Sequence, residues 1–259
     1  MSNLDVTKAS SSLWTRLWHG QTITIARFTL RSYIRSWWVL GNIVFIWLLY
    51  AAFFLETGSD VKYFYGVAAP GLYILSILST IVLTQRAMQA RIYLPLARLK
   101  SRAAYIRGLI LATSSLCVLH FLLILLLAMG YHRYAPSLGI QNATISNMLP
   151  GALGAILNCI ILSTLTVLLS APIATRRIQI VFLIWLAGVL YSNTNTDIVA
   201  HYLSVIRVVL APIVTCSSLG GAESIDGYGL AMIVLAIGYI IALSWLVEYW
   251  FSKRDMILH

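Results

Sequence analysis

Acidic residues are scarce in this chain: eight Asp and Glu among 259 residues, against eighteen Lys and Arg. Charged residues of both signs make up 10% of it, whereas soluble domains carry about 25%, so a soluble globular domain is excluded. Several kinds of chemistry are missing as well. No Gly-x-x-x-x-Gly-Lys-Ser/Thr occurs, so the chain has no P-loop to cradle nucleotide phosphates. No Asp-rich pair ends an apolar run, where a Mg-diphosphate site would need one. No His-Glu-x-x-His zinc motif is present. The three cysteines, Cys117, Cys159 and Cys216, are scattered; they read as small apolar fillers, not as a disulfide framework or metal site. No convincing internal repeat is found, which weighs against transporters built from duplicated halves. Enzymatic readings lose most of their support here.

What the chain does have is apolar length. It is 60% hydrophobic with a mean hydropathy of +0.86. A helix needs about 20 apolar residues to cross about 30 Å of hydrocarbon; the runs 38–55 (a little short), 64–83, 109–129, 149–171 and 228–247 suit this, and 178–191 begins a further span that runs into polar residues 192–196. Residues 198–217 tempt a seventh span but contain His201, Arg207 and Pro212. An Arg near a span centre costs about 2.5–3.5 kcal/mol on insertion scales. That segment is expected to form two short outer-face helices, lying on the membrane or dipping into it, broken near Pro212. The fold class is an all-α integral membrane protein with six transmembrane helices.

Charge then orients the spans. With the N-terminus inside, fifteen of the eighteen Lys and Arg fall on the inner side. They lie before span one, between spans two and three, between spans four and five (Arg176, Arg177) and at the end (Lys253, Arg254), leaving Lys62, Arg133 and Arg207 outside. Short Lys- and Arg-rich loops stay cytoplasmic. Both termini are therefore expected in the cytoplasm of a multi-pass protein of a bacterial inner (plasma) membrane. The first 37 residues are basic and amphipathic, unlike a cleavable signal peptide. The formal charge of +10 reads as inner-side topology and attraction to anionic headgroups, with no nucleic-acid partner. The division is 1–37 as a cytoplasmic N-terminus, 38–250 as the membrane domain and 251–259 as a cytoplasmic tail.

Two basic elements exceed what orientation needs. On a 100° wheel of residues 22–37, Ile23, Ala26, Leu30, Tyr33, Ile34 and Trp37 cluster on one side, and Thr24, Arg27, Arg31 and Arg35 on another. Such a helix lies in the membrane interface. An unstructured polybasic segment is the alternative, and the four-residue spacing of the arginines favours the helix. The second element, residues 85–108, is too long for a simple connector between adjacent helices, which takes about 2–8 residues. Pro95 divides it, with a helix beginning near Leu96. This element either presents a surface on which another protein pushes or hugs anionic lipid.

An amphipathic helix before span one, the Ser101-Arg102-Ala-Ala-Tyr105-Ile-Arg-Gly108 entry to span three after a proline, outer helices before the last span and the basic end Phe251-Ser-Lys-Arg-Asp255 together resemble the ABC-2 type transporter permease family. The resemblance implies a dimerising half-exporter, homo- or heteromeric, with two copies of an ABC ATP-binding subunit docked on its cytoplasmic face. ATP and Mg would reside in that partner, leaving this chain without cofactor or metal. The coupling contacts it implies fall on Arg86, Gln89, Arg91, Tyr93, Pro95, Arg98 and Lys100. Family members commonly carry a Glu and a Gly-Thr-Leu-like stretch there, where this chain reads Arg86-Ala-Met-Gln-Ala-Arg91-Ile-Tyr.

A few isolated groups remain. His120, near the middle of span three, is a candidate polar group of a translocation path, since ionisable residues inside membranes mark function by default; a neutral His bonded to a neighbouring helix is the alternative. Asp197 and His201, at i and i+4, suit a cation, though an Asp capping a short helix accounts for them more simply. Asn142-Ala-Thr144 matches a glycosylation sequon. The eight Trp sit mostly at span ends, where aromatic belts form. Lipid-like, drug-like or other amphiphilic cargo is expected, with lipid-linked polysaccharide as an alternative. A secondary transporter using His120, or an immunity or scaffold protein working without an ATPase, are the competing classes.

Overall fold

The computed structural model describes residues 20–54, 59–87, 102–134, 140–141, 144–170, 213, 216, 219–221 and 225–253. Backbone groups placed in hydrocarbon must bond within their own segment, so long apolar runs fold as helices. Helix α1 (Gly20–Ile34) passes through a short turn at Arg35 and Ser36 into α2 (Trp37–Phe54). Then come α3 (Val61–Ala87), α4 (Arg102–Tyr134), α5 (Ile145–Leu168) and α6 (Gly227–Lys253). A 3-10 turn, Leu219–Gly221, precedes α6. Strand pairing among the described residues is limited to two residues on each side, β1 (Ser59–Asp60) parallel to β2 (Ile140–Gln141).

Five of these helices, α2 to α6, are long and apolar enough to cross a bilayer. This is the build of a multi-pass membrane protein. Each overlaps a run marked by the sequence; the remaining expected span, 178–191, lies outside the described residues. Helix α4 departs most from expectation. It has 33 residues, about 50 Å at 1.5 Å per residue, against about 30 Å of hydrocarbon. Hydropathy marks the part that lipid tolerates, while Ala and Arg, both strong helix formers, carry the helix beyond it through Arg102-Ala-Ala-Tyr-Ile-Arg107.

Helix α5 is the most enclosed, with 67% of its span buried, while α2 and α6 are 22% and 17% buried. Helix α2 turns one edge inward, Asn42, Ile46, Tyr50 and Phe54 at every fourth residue, and leaves Trp38, Val44 and Trp47 exposed. Lipid tails are as apolar as leucine, so such a face needs no protein cover. Two glycines permit the closest approaches to α5. The Tyr65 ring lies over Gly151, and the backbone at Cys216 lies over Gly154.

Two cores result. The larger, with Phe54, Phe64, Tyr65, Phe121, Ile161 and Leu162, is built by α2 to α5 with α6 at its margin. The smaller gathers Tyr33 of α1 with Leu83, Ala87, Tyr105, Ile106, Leu109, Val247 and Phe251 at the end of the bundle that carries Arg86 and Arg107, called the basic end below. Of the segment 198–217, residues 213 and 216 are described. Ile213 is fully buried and Cys216 is 1% exposed. The Asn158 amide donates to the Ile213 carbonyl at 3.0 Å, about 20 Å along α5 from its first residue. At these two residues the chain dips into the bundle instead of resting on its surface.

Candidate coupling base and buried polar hub

A helix end leaves its last carbonyls without intrahelical partners. At the end of α3 the Tyr105 hydroxyl donates to the Ala87 carbonyl at 2.6 Å. The Tyr105 ring stacks on Phe251 of α6 with centroids 6.5 Å apart. Two residues further on, Arg107 forks onto Glu248, Nε to Oε1 at 2.5 Å and Nη2 to Oε2 at 2.7 Å. A bidentate fork fixes orientation as well as adding attraction. The Arg107 and Glu248 side chains are 33% and 19% exposed, so the pair sits at the boundary of the smaller core. The end of α3, the start of α4 and the end of α6 are thus fastened by one hydrogen bond, one ring stack and one ion pair. Segment 88–101, which holds most of the expected coupling residues, lies outside the described residues and follows Ala87 and precedes Arg102 in the chain.

Helix α1 packs on the same base. Its buried residues are Thr22, Ala26, Thr29 and Tyr33, spaced four, three and four. They meet α4 near Gly108, where a Cβ would come 2.8 Å from Ile25 and 2.9 Å from the Thr22 carbonyl oxygen. Ala26 and Tyr33 of the apolar side are buried in this seam together with the two threonines, while Ile23, Ile34 and Trp37 are exposed, on the side expected to lie in the membrane interface. Small side chains let helix backbones approach closely, and the Thr29 hydroxyl is satisfied by the Ile25 carbonyl at 2.8 Å. Arg27, Arg31 and Arg35 are all exposed, on the side of α1 away from that seam.

Of the expected coupling residues, Arg86 is described, in the last turn of α3. It is half-buried, and its Nη1 is buried without a hydrogen-bond partner. Gln89, Arg91, Tyr93, Pro95, Arg98 and Lys100 lie outside the described residues, as do Asn142, Asp197 and His201. Among the described residues no group of three His, Cys, Asp or Glu is placed to hold a metal ion.

His120 is 5% exposed and belongs to a cluster that the sequence does not reveal. The Asn42 amide nitrogen of α2 lies 2.9 Å from His120 Nε2. It donates to the Tyr33 hydroxyl at 2.7 Å and to the Ser79 hydroxyl at 3.0 Å. Four elements, α1 to α4, therefore meet at one amide. Nearby, Ser76 of α3 donates to the Cys159 carbonyl at 3.1 Å and lies 3.0 Å from the Cys117 sulfur. Asn158 of α5 donates to the Tyr73 hydroxyl at 2.9 Å. A polar residue inside an apolar run is the available signal, and Asn42 in Leu40-Gly-Asn-Ile-Val carries it; its partners need three other helices to be placed first. Glu248 and its partner were likewise missed, although a lone acid in the last span is the same kind of signal.

Comparison with known proteins leaves the site to stand on its geometry. No protein-family model matches the chain, and no curated protein matches it.

Proposed function

We propose that this chain is the transmembrane permease subunit of an ATP-driven exporter of the ABC-2 type, working as a homo- or heterodimer with two copies of a separate ATP-binding subunit. The fold would have six spans with both termini and the basic end in the cytoplasm. Segment 88–101 would be the coupling element, flanked by the basic stripe of α1. ATP-driven closure of the partner displaces that segment, and the displacement opens a path between protomers for lipid-like, drug-like or other amphiphilic cargo.

The observation that carries this reading is the fastened basic end. A segment mounted between Ala87 and Arg102, whose helices are held to each other and to α6 by Tyr105, Phe251 and the Arg107–Glu248 fork, passes a push to three helices together. These 259 residues contain no P-loop, so under this reading nucleotide binding falls to the separate subunit. The competing use of His120 as a lone proton carrier has less support. Among the described residues its hydrogen-bond contacts are an amide and, through that amide, two hydroxyls, and none of these is a carboxylate that would stabilise an imidazolium.

Gentle solubilisation from the native membrane is expected to bring down a P-loop ATPase in a one-to-one ratio, detected by mass spectrometry and by vanadate-sensitive ATP hydrolysis. Recovery of the intact chain without any P-loop protein, together with cargo flux in liposomes that lack ATP, overturns the proposal.

A further inference from the structure

One side-chain amide nitrogen carries two protons, yet with His120 in the tautomer that leaves Nε2 unprotonated, Asn42 Nδ2 has three acceptors within 3.0 Å: the Tyr33 hydroxyl, the Ser79 hydroxyl and His120 Nε2. The amide is therefore over-subscribed. As arranged, it can bond two of the three fully and must share a proton with the third. Tyr33 is the partner that belongs to α1, and it is 1% exposed. If Tyr33 withdraws, the two protons of Asn42 pass to Ser79 and His120, and the amide stays fully bonded inside the bundle. Leaving a buried donor unpaired is costly, and this arrangement avoids that cost on the interior side.

We propose that Asn42 is a release latch for α1: Tyr33 competes with Ser79 and His120 for two protons, so the bundle interior sets how firmly α1 is docked. The device has two discrete states. In the docked state Tyr33 shares the amide and α1 sits in the groove at Gly108. In the released state Ser79 and His120 take both protons, and α1 keeps only the packing of its remaining seam residues, Thr22, Ile25, Ala26, Thr29 and Leu30. Small interior shifts that favour one partner over another are thereby converted into docking or release of a helix, because hydrogen bonds and packed seams switch between arrangements and do not deform continuously. This coupling stands whether or not the partner is an ATPase; an ATPase acting on α1 would be one means of driving it.

Competition has a sign that simple anchoring lacks. Ser79→Ala, on α3, removes a competitor, so Tyr33 gains a full proton and α1 is held more tightly. Tyr33→Phe removes the latch and α1 loosens. Hydrogen exchange followed by mass spectrometry on the full chain in lipid nanodiscs reads both. Amides of α1 are expected to exchange about fivefold faster in Tyr33→Phe and about threefold slower in Ser79→Ala, as hydrogen bonds worth about 1 kcal/mol net imply. His120→Phe, which keeps the bulk and removes the other competitor, is expected to slow α1 likewise. Unchanged exchange in the half of α5 near Ile145 serves as the control for folding. If Ser79→Ala and His120→Phe both leave α1 exchange unchanged or faster while Tyr33→Phe loosens it, Tyr33 is an ordinary anchor and the latch is refuted.

Discussion

Glu248→Ala is expected to lower the thermal midpoint of the purified protein by about 5 °C. Removing one member of a buried ion pair costs about 3–5 kcal/mol because it strands the other charge. Arg107 and Glu248 are 33% and 19% exposed, so water recovers part of that, and about 2 kcal/mol remains. For a chain of this size each kcal/mol shifts the midpoint by about 2–4 °C. The stranded guanidinium is the cause, and that makes a sharper test available. The double variant Arg107→Met with Glu248→Leu removes both charges and keeps the bulk, and replacing such a pair by apolar side chains is often neutral. It should recover most of the lost stability. On the proposed function, transport should not recover with it, since the fork that orients the end of α6 against the start of α4 is gone. Thermal midpoints by differential scanning fluorimetry, beside flux in proteoliposomes, separate the two effects. A double variant as unstable as Glu248→Ala would show that packing, and not the ion pair, holds this end.

The second large effect is at Gly154. A Cβ there would overlap the carbonyl oxygen of Cys216 and sit 3.2 Å from the Leu219 Cβ. The obstacle is backbone, so rotamer changes cannot relieve it. Overpacking costs about 1–3 kcal/mol in a dense interior, and Gly154→Val is expected to displace the chain around Cys216 from α5. Thiol labelling reports that displacement. Cys216 lies outside the five candidate spans, is 1% exposed, and burial pushes its thiol up to about 11. The thiolate is the reactive form, and near neutral pH a group titrating at about 11 holds roughly 100-fold less of it than a free cysteine titrating at about 8.5–9. Because burial raises the titration point, the wild-type thiol stays protonated and unreactive until the pH approaches 11. Displacing it into water lowers that point toward the free value. Maleimide labelling of Cys216 at pH 7.5, located by peptide mass spectrometry, is expected to be negligible in the wild type and to rise at least about 30-fold in Gly154→Val. Equal labelling in both would mean that residues 213 and 216 do not need the Gly154 groove.

The two effects fall in different parts of the bundle, and the sequence anticipated those parts unequally. Span positions were readable because crossing hydrocarbon demands apolar length, and that demand is met or failed within the segment itself: the run 38–55 became α2 (Trp37–Phe54) and 228–247 lies within α6. The extent of α4 was not readable from hydropathy, since its first turns follow helix propensity and packing against α1. The seam by which α1 packs on α4 was not readable for a related reason. In water, apolarity marks the inside, but beside a bilayer Ile23, Ile34 and Trp37 can be exposed while Thr22 and Thr29 are buried. His120 could be singled out as an ionisable residue in a span, whereas its meaning rests on Asn42, Ser79 and Tyr33, three residues from three other elements. Glu248 is one acid in a long apolar helix, and only the partner 141 positions earlier explains its presence.

The measurement that bears most directly on the proposed function is a site-specific photo-crosslink from segment 88–101 in the native membrane. With a photoreactive phenylalanine analogue in place of Tyr93, the account predicts an adduct with a P-loop ATPase subunit, strengthened when ATP hydrolysis is blocked. The same analogue in place of Tyr134, 92% exposed at the opposite end of α4, should give none. Adducts at Tyr93 with lipid alone, or an ATPase captured from Tyr134 instead, would contradict it.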